Sequence, residues 1–240
     1  MSEFFKIQHA RPRKATGMTE RAFTPALGRF LPTRYYDIVA SLVRERLWRG
    51  LVVREAAPAP GDLIVDVGCG TGSLALLLHQ AEPAAWVIGV DPDPAVLARA
   101  KRKAGLAGVE FRTGLGDELA DVVGSEIADV AVSSLVLHQC PLPVKRAILA
   151  AMYDVLRPGG RLVIADYGLQ RTRAMRLAFR IVQLADGFQD TRPNADGILP
   201  SLIAEAGFRD VREVEVVPTI TGSISVLTAY RGALGGPLSA

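Results

Sequence analysis

Leu63-Ile64-Val65-Asp66-Val67-Gly68-Cys69-Gly70-Thr71-Gly72-Ser73 is an apolar run that ends in an acid and then breaks into three alternating glycines. The run reads as a buried strand feeding a ligand loop. A strand has no need of glycine at every second position, whereas a backbone that turns sharply and passes close under a ligand does. Leu74-Ala75-Leu76-Leu77-Leu78 continues as a helix, so its unpaired N–H groups point back at the loop. An ordinary glycine-rich turn would account for the glycines alone. It would not account for Asp66 at the strand tip together with a second acid further on.

That second acid closes Val87-Ile88-Gly89-Val90-Asp91-Pro92-Asp93, a strand whose tip falls about twenty residues after the glycines. A carboxylate in that place can accept hydrogen bonds from both vicinal hydroxyls of a ribose. Asp91 can also be read as a helix N-cap ahead of Pro92. The dinucleotide fingerprint puts its third glycine three positions after the second, and here that position is Ser73, with Gly72 one place earlier. The spacing therefore argues against a nicotinamide or flavin cofactor. Asp66-x-Gly68-x-Gly70-x-Gly72 instead resembles the first motif of the class I methyltransferases that use S-adenosylmethionine.

At 240 residues the chain has enough length for one sizeable α/β domain. No apolar run approaches the ~18 residues needed to span a bilayer, so a soluble globular protein is expected. Residues 1–17 lack the apolar stretch of a secretory signal. Cys69 and Cys140 are too far apart to suggest a disulfide framework, and a reducing cytoplasm fits. His9, His79 and His138 show no metal-ligand spacing with each other or with the cysteines, so no metal is expected. The net charge of +3 is uneven, because residues 1–60 carry eleven Lys and Arg against five acids. A basic leading segment suits peripheral contact with a membrane surface, a nucleic acid or an anionic substrate, and it equally suits a solvated face.

Residues 1–17 read as an arm containing Arg11-Pro12-Arg13-Lys14. Between Tyr35 and Glu55 apolar residues, among them Val39, Val43, Leu47 and Leu51, recur at four-residue steps, which predicts an amphipathic helix. The chain then alternates, with strands expected at 62–67, 85–90, 108–112, 127–133 and 161–166 and helices at 72–81, 94–104, 117–123 and 142–156. Leu156-Arg157-Pro158-Gly159-Gly160 reads as a helix stop and turn. A helical insert is expected at 169–186, a further helix near 195–206, and a closing hairpin from Val211–Val217 and Ser223–Tyr230. Together these predict a Rossmann-like, doubly wound α/β fold with a mostly parallel seven-stranded sheet and an antiparallel C-terminal hairpin. Residues 1–60 would be an arm and helical lid, and 61–240 the cofactor-binding domain.

The methyltransferase resemblance runs in order over about residues 35–167 and implies S-adenosylmethionine as cofactor. It implies a loop of Gly68, Cys69, Gly70, Thr71 and Gly72 wrapped round the amino-acid and ribose parts, with Asp66, Asp91 and Pro92 beside it. The end of the third strand would hold adenine, but the expected polar position falls on Leu115, which leaves backbone groups of Leu115 and Gly116 or the side chain of Asp117. Ser133 and Ser134 at the fourth strand tip would lie against the methionine part, and the residues after them would face the acceptor. His138 is there the candidate general base, since a neutral imidazole can remove a proton from the acceptor, and it can equally be a hydrogen-bonding wall. Tyr35, Tyr36 and Tyr167 are candidate acceptor-pocket residues.

Tyr35-Tyr36-Asp37 followed by Arg46-Leu47-Trp48-Arg49 looks like the leading helix of the ubiquinone and menaquinone biosynthetic C-methyltransferases. That likeness implies a small, apolar or lipid-like acceptor. The basic arm would favour a nucleic-acid methyltransferase, but Ser133-Ser134-Leu135-Val136 stands where amino-methylating nucleic-acid enzymes carry Asn/Asp-Pro-Pro-Tyr/Phe. A cofactor-binding partner subunit without transfer activity stays open, since binding and transfer need different residues.

Overall fold

The computed structural model of the protein describes residues 45–232. The arm at 1–17, Tyr35, Tyr36 and most of the expected lid lie outside the described residues. Seven strands build one sheet: β1 (Leu63–Val67), β2 (Trp86–Asp91), β3 (Val109–Thr113), β4 (Ala128–Ser134), β5 (Leu156–Tyr167), β6 (Arg209–Thr219) and β7 (Gly222–Tyr230). Between and before them run α1 (Glu45–Ala56), α2 (Ser73–Ala81), α3 (Pro94–Ala104), α4 (Leu119–Val123) and α5 (Leu142–Val155). After β5 come α6 (Arg173–Asp186), α7 (Phe188–Ala195) and α8 (Leu199–Glu205).

The strand order is β3-β2-β1-β4-β5-β7-β6, parallel from β1 to β5 and antiparallel at β7 and β6. This is the Rossmann-like, doubly wound sheet that the alternating pattern predicts. The chain winds outward from β1 to β3 and then returns to β4 on the other side of β1. That reversal opens a crevice at the C-terminal tips of β1 and β4. Parallel strands must be covered on both faces, and β1 shows it: Ile64 joins a core with Trp48, Leu78 and Phe179, while Val65 and Val67 join one with Leu149, Met152 and Phe208.

Local chemistry explains the element ends nearest the crevice. Asp93 caps α3, accepting the Ala95 N–H at 2.8 Å and the Val96 N–H at 3.3 Å, with Pro94 as the first helical residue. The cap is therefore Asp93, which corrects the reading of Asp91 in that role. Thr172 caps α6 through the Met175 N–H.

Three sequence expectations change. The run 156–160 stays in the sheet as a bulged start of β5, because the Gly159 N–H donates to the Arg231 carbonyl at 2.9 Å and the Arg231 N–H donates to the Gly160 carbonyl. Along α1 the buried row is Trp48, Val52 and Ala56, while Leu47 stands half-exposed, so the helix turns its largest side chain inward instead of the Leu47–Leu51 row. Helix α7 and a 3₁₀ turn at Leu137–Gln139 are additions.

Candidate functional site

The glycines after β1 are required by backbone conformation and by space. Gly68, Gly70 and Gly72 all sit at left-handed φ, +69°, +54° and +73°. A Cβ on Gly68 would stand 2.3 Å from Cγ2 of Val136, and one on Gly72 would stand 2.7 Å from the Phe111 ring. The loop hangs from β2, since the Gly68 and Cys69 N–H groups both donate to the Val90 carbonyl at 2.8 and 3.0 Å. Gly72 leads into α2 with no side-chain cap on the helix.

Two carboxylates flank this loop. Asp91 at the tip of β2 accepts the Gly70 N–H on Oδ2 at 2.9 Å and the Asp93 N–H on Oδ1 at 3.0 Å. Burial raises its pKa and those two N–H groups oppose the rise. Each oxygen keeps a lone pair for a further donor. Asp66 is fully buried in β1, and neither of its oxygens has a hydrogen-bond partner among the described residues. Burial pushes its pKa up to about 7, with Asp91 adding repulsion, while Arg49 and, more weakly, the Ala75 N–H oppose without reaching hydrogen-bonding geometry. A buried carboxylate without a donor is a group that a ligand's ammonium or hydroxyl would relieve. The two acceptors thus fit a nucleoside that also carries a cationic amino acid.

The other expected cofactor residues gather at the same end of the sheet. Cys69 and Thr71 are buried within the loop, and burial raises the Cys69 thiol. Pro92 follows Asp91 and is half-buried. The Gly114 N–H donates to the Asp91 carbonyl at 3.2 Å, and a Cβ on Gly116 would meet Val67 at 3.2 Å. The segment Leu115-Gly116-Asp117 is thereby laid along the tips of β2 and β1, and all three residues are half-buried. Ser133 is committed to the scaffold: its hydroxyl donates to the Val67 carbonyl at 2.8 Å and splints β4 to β1. Ser134 is half-buried beyond it, and Leu135 takes a left-handed φ of +55°, unusual for a branched side chain.

Beyond Leu135 the chain meets a cluster the sequence did not assemble. Asp166, near the end of β5, accepts the Val136, Leu137 and His138 N–H groups on Oδ2 at 3.1, 2.7 and 3.3 Å. Its Oδ1 takes the Tyr167 N–H at 2.7 Å and faces His138 Nδ1 at 2.7 Å. On the other side of the imidazole, Nε2 lies 3.3 Å from Oδ2 of Asp186, the last residue of α6. Lys145 of α5 is buried and donates to the carbonyls of Leu137, His138 and Asp190, and burial lowers its pKa. Asp166 appears in the sequence only as a strand-end acid, and Asp186 only as a residue closing an insert. Their partner lies 28 residues from one of them.

This cluster decides what His138 can do. Burial by itself would depress the imidazole, but Asp166 and then Asp186 outweigh it, and the pKa is pushed up to about 9. A shift in that direction favours the imidazolium, the form in which both nitrogens donate. Both ring nitrogens face carboxylates of the protein, so a general-base role would require one of those contacts to open. Tyr167 is likewise packed in: its ring meets His138 edge-on at 5.0 Å and Phe179 of α6 at 4.9 Å, and its hydroxyl lies 2.8 Å from Thr221 Oγ1.

A family profile described as a methyltransferase domain matches residues 64–160. Demethylmenaquinone methyltransferase of Thermus thermophilus is 32% identical over 167 residues, covering 68% of this chain and 73% of that one. An O-methyltransferase of Penicillium expansum is 31% identical over 228 residues, covering 92% of this chain and 80% of its own. Among solved structures, an O-methyltransferase family protein from Burkholderia thailandensis has a TM-score of 0.66 at 18% identity, over 84% of this chain and 61% of that one, a likeness of fold.

Proposed function

Because this chain belongs to the class I S-adenosylmethionine-dependent methyltransferases, we propose that it methylates a small, largely apolar acceptor held at the tips of β4 and β5 beside α6. S-adenosylmethionine, when bound, supplies an electrophilic methyl group on a sulfonium. In this reading Asp66 meets the ammonium of the cofactor, and Asp91 accepts from its ribose hydroxyls. Backbone groups of Leu115 and Gly116, with Asp117 close by, receive the adenine. The single observation that carries the donor half is the buried Asp66 beside the glycine loop, without a hydrogen-bond partner among the described residues.

The acceptor half rests on where the polar atoms at β4 and β5 are spent. The imidazole nitrogens, the Lys145 ammonium and the Tyr167 hydroxyl are all engaged within the protein. Beyond Ser134, which faces the cofactor in this reading, what that end offers an acceptor is the half-buried Leu135 and Val136. Relatives named for demethylmenaquinone and quinone methylation support the same class. With both His138 nitrogens facing carboxylates of the protein, the chain's contribution to transfer is orientation and exclusion of water, and the acceptor arrives already nucleophilic. His138 and Asp166 act as positioning residues for the turn at Leu137–Gln139.

The test is transfer of labelled methyl from S-adenosylmethionine to a panel of quinols, phenols and polar amines, read after partition into organic solvent. Label in the apolar fraction is expected. Label confined to polar acceptors or to added RNA would overturn the acceptor reading while leaving the donor half intact.

A further inference from the structure

Helix α6 carries an apolar stripe that nothing among the described residues covers. Leu177, Ile181 and Leu184 are 66, 62 and 76% exposed, and Phe188 at the start of α7 is 51% exposed. Leu177, Ile181 and Leu184 recur at helical spacing, so they form one line along the outer face of α6. The opposite face is buried through Phe179 and Val182. Residues 168–185 hold four arginines, Arg171, Arg173, Arg176 and Arg180, and no Asp or Glu. Arg171 pairs with Glu213 and Arg176 with Asp196, whereas Arg173 and Arg180 have no ion-pair partner among the described residues. Both are exposed and flank the stripe.

We propose that this face of α6 docks on an anionic lipid bilayer, with the leucine–isoleucine stripe in the acyl boundary and the arginines against lipid phosphates. An exposed line of large aliphatic residues bordered by arginine, on a helix with no exposed acid, is complementary to that surface. A second copy of the chain is a poor occupant, since a two-fold contact stripe to stripe would bring Arg173 and Arg180 of both copies together, and neither has an acid partner among the described residues. The docked helix is also the one whose inner face reaches the site, through Phe179 on Tyr167 and Asp186 on His138. The contact would set the acceptor end of the crevice close to the lipid surface. The proposal is independent of the acceptor's identity, because docking needs neither cofactor nor turnover.

The experiment is co-sedimentation of the full chain, without cofactor, with phosphatidylcholine vesicles and with mixed phosphatidylcholine–phosphatidylglycerol vesicles. Binding to the mixed vesicles that weakens as salt rises is expected. Leu177→Ser with Ile181→Ser should lower the partition coefficient by roughly tenfold per side chain, and Arg173→Gln with Arg180→Gln by roughly fivefold per arginine. The arginine pair, being on the surface, keeps the test valid if the serine pair unfolds. Three results would each overturn the proposal: no binding to the mixed vesicles, binding unchanged in both pairs of variants, or self-association in solution that the serine pair abolishes.

Discussion

Replacing Asp66 with Asn should stabilise the ligand-free protein and weaken its hold on the cofactor, two effects of opposite sign from one buried oxygen. Burial raises the Asp66 pKa from 3.8 to about 7. Across that window the native state holds a proton that the unfolded chain has lost, so stability falls as pH rises from 3.8 to about 7 and stays low above it. About 3 pKa units at 1.36 kcal/mol each put the cost of the ionised group at no more than roughly 4 kcal/mol. The Asn side chain removes that charge but leaves an unpartnered amide, which returns about 1–3 kcal/mol. The variant should therefore melt several °C higher than the parent near about pH 8, at ~2–4 °C per kcal/mol for a chain of this size. Near about pH 5, where Asp66 is largely protonated, the two should converge. Calorimetric titration with S-adenosylhomocysteine supplies the other half. Parent affinity should rise through about pH 7 as the carboxylate ionises to meet the ligand's ammonium, and the Asn variant should bind ten- to a hundredfold more weakly, about 1.5–3 kcal/mol for a charge-assisted contact. An Asn variant that binds the ligand as tightly as the parent, or that melts lower at alkaline pH, would refute the reasoning.

His138→Gln removes the cation between Asp186 and Asp166, leaving Asp186 without its partner while Asp166 keeps four backbone N–H donors, and should cost about 3–5 kcal/mol in urea unfolding at neutral pH. The raised imidazole pKa contributes stability that is fully present below 6.5 and is lost as pH climbs through about 9, so the parent's urea midpoint should fall across that window. The glutamine variant should show no such fall, and a parallel slope in both proteins would remove the imidazolium from the account. Gly68→Ala should cost about 2–4 kcal/mol, the sum of a left-handed φ and the contact with Val136. Adding Val136→Ala should restore the part due to contact and not the part due to φ, and full recovery in the double variant would show that conformation is irrelevant there.

The donor half of the site was legible because its determinants are local. Three glycines at alternate positions, an acid on the tip of β1 and an acid on the tip of β2 are each readable within a few residues. The acceptor half was not, because its partners come from β5, α5 and α6, and only folding brings Asp166, Lys145 and Asp186 around His138. The same limit explains the start of β5. Gly159 and Gly160 are turn residues by composition, yet a hydrogen-bonded exchange with Arg231, some seventy residues on, keeps them in the sheet. The inward row of α1 was not legible for a further reason: four-residue steps fit Leu47–Leu51 and Trp48–Val52 alike, and the area of the indole decides between them.

Ser133 bonding to Val67, with Val136 packed over Gly68, joins two structures that hang from different anchors, the glycine loop from β2 and the His138 turn from Asp166 and Lys145. The enzyme is modular across that seam. On the proposed reading, a grafted segment replacing residues 172–197 would retune acceptor choice without rebuilding the donor cradle if it preserved the moorings now supplied by Asp186, Asp190 and Asn194: a carboxylate on His138, a carbonyl on Lys145 and an amide on the Tyr167 carbonyl.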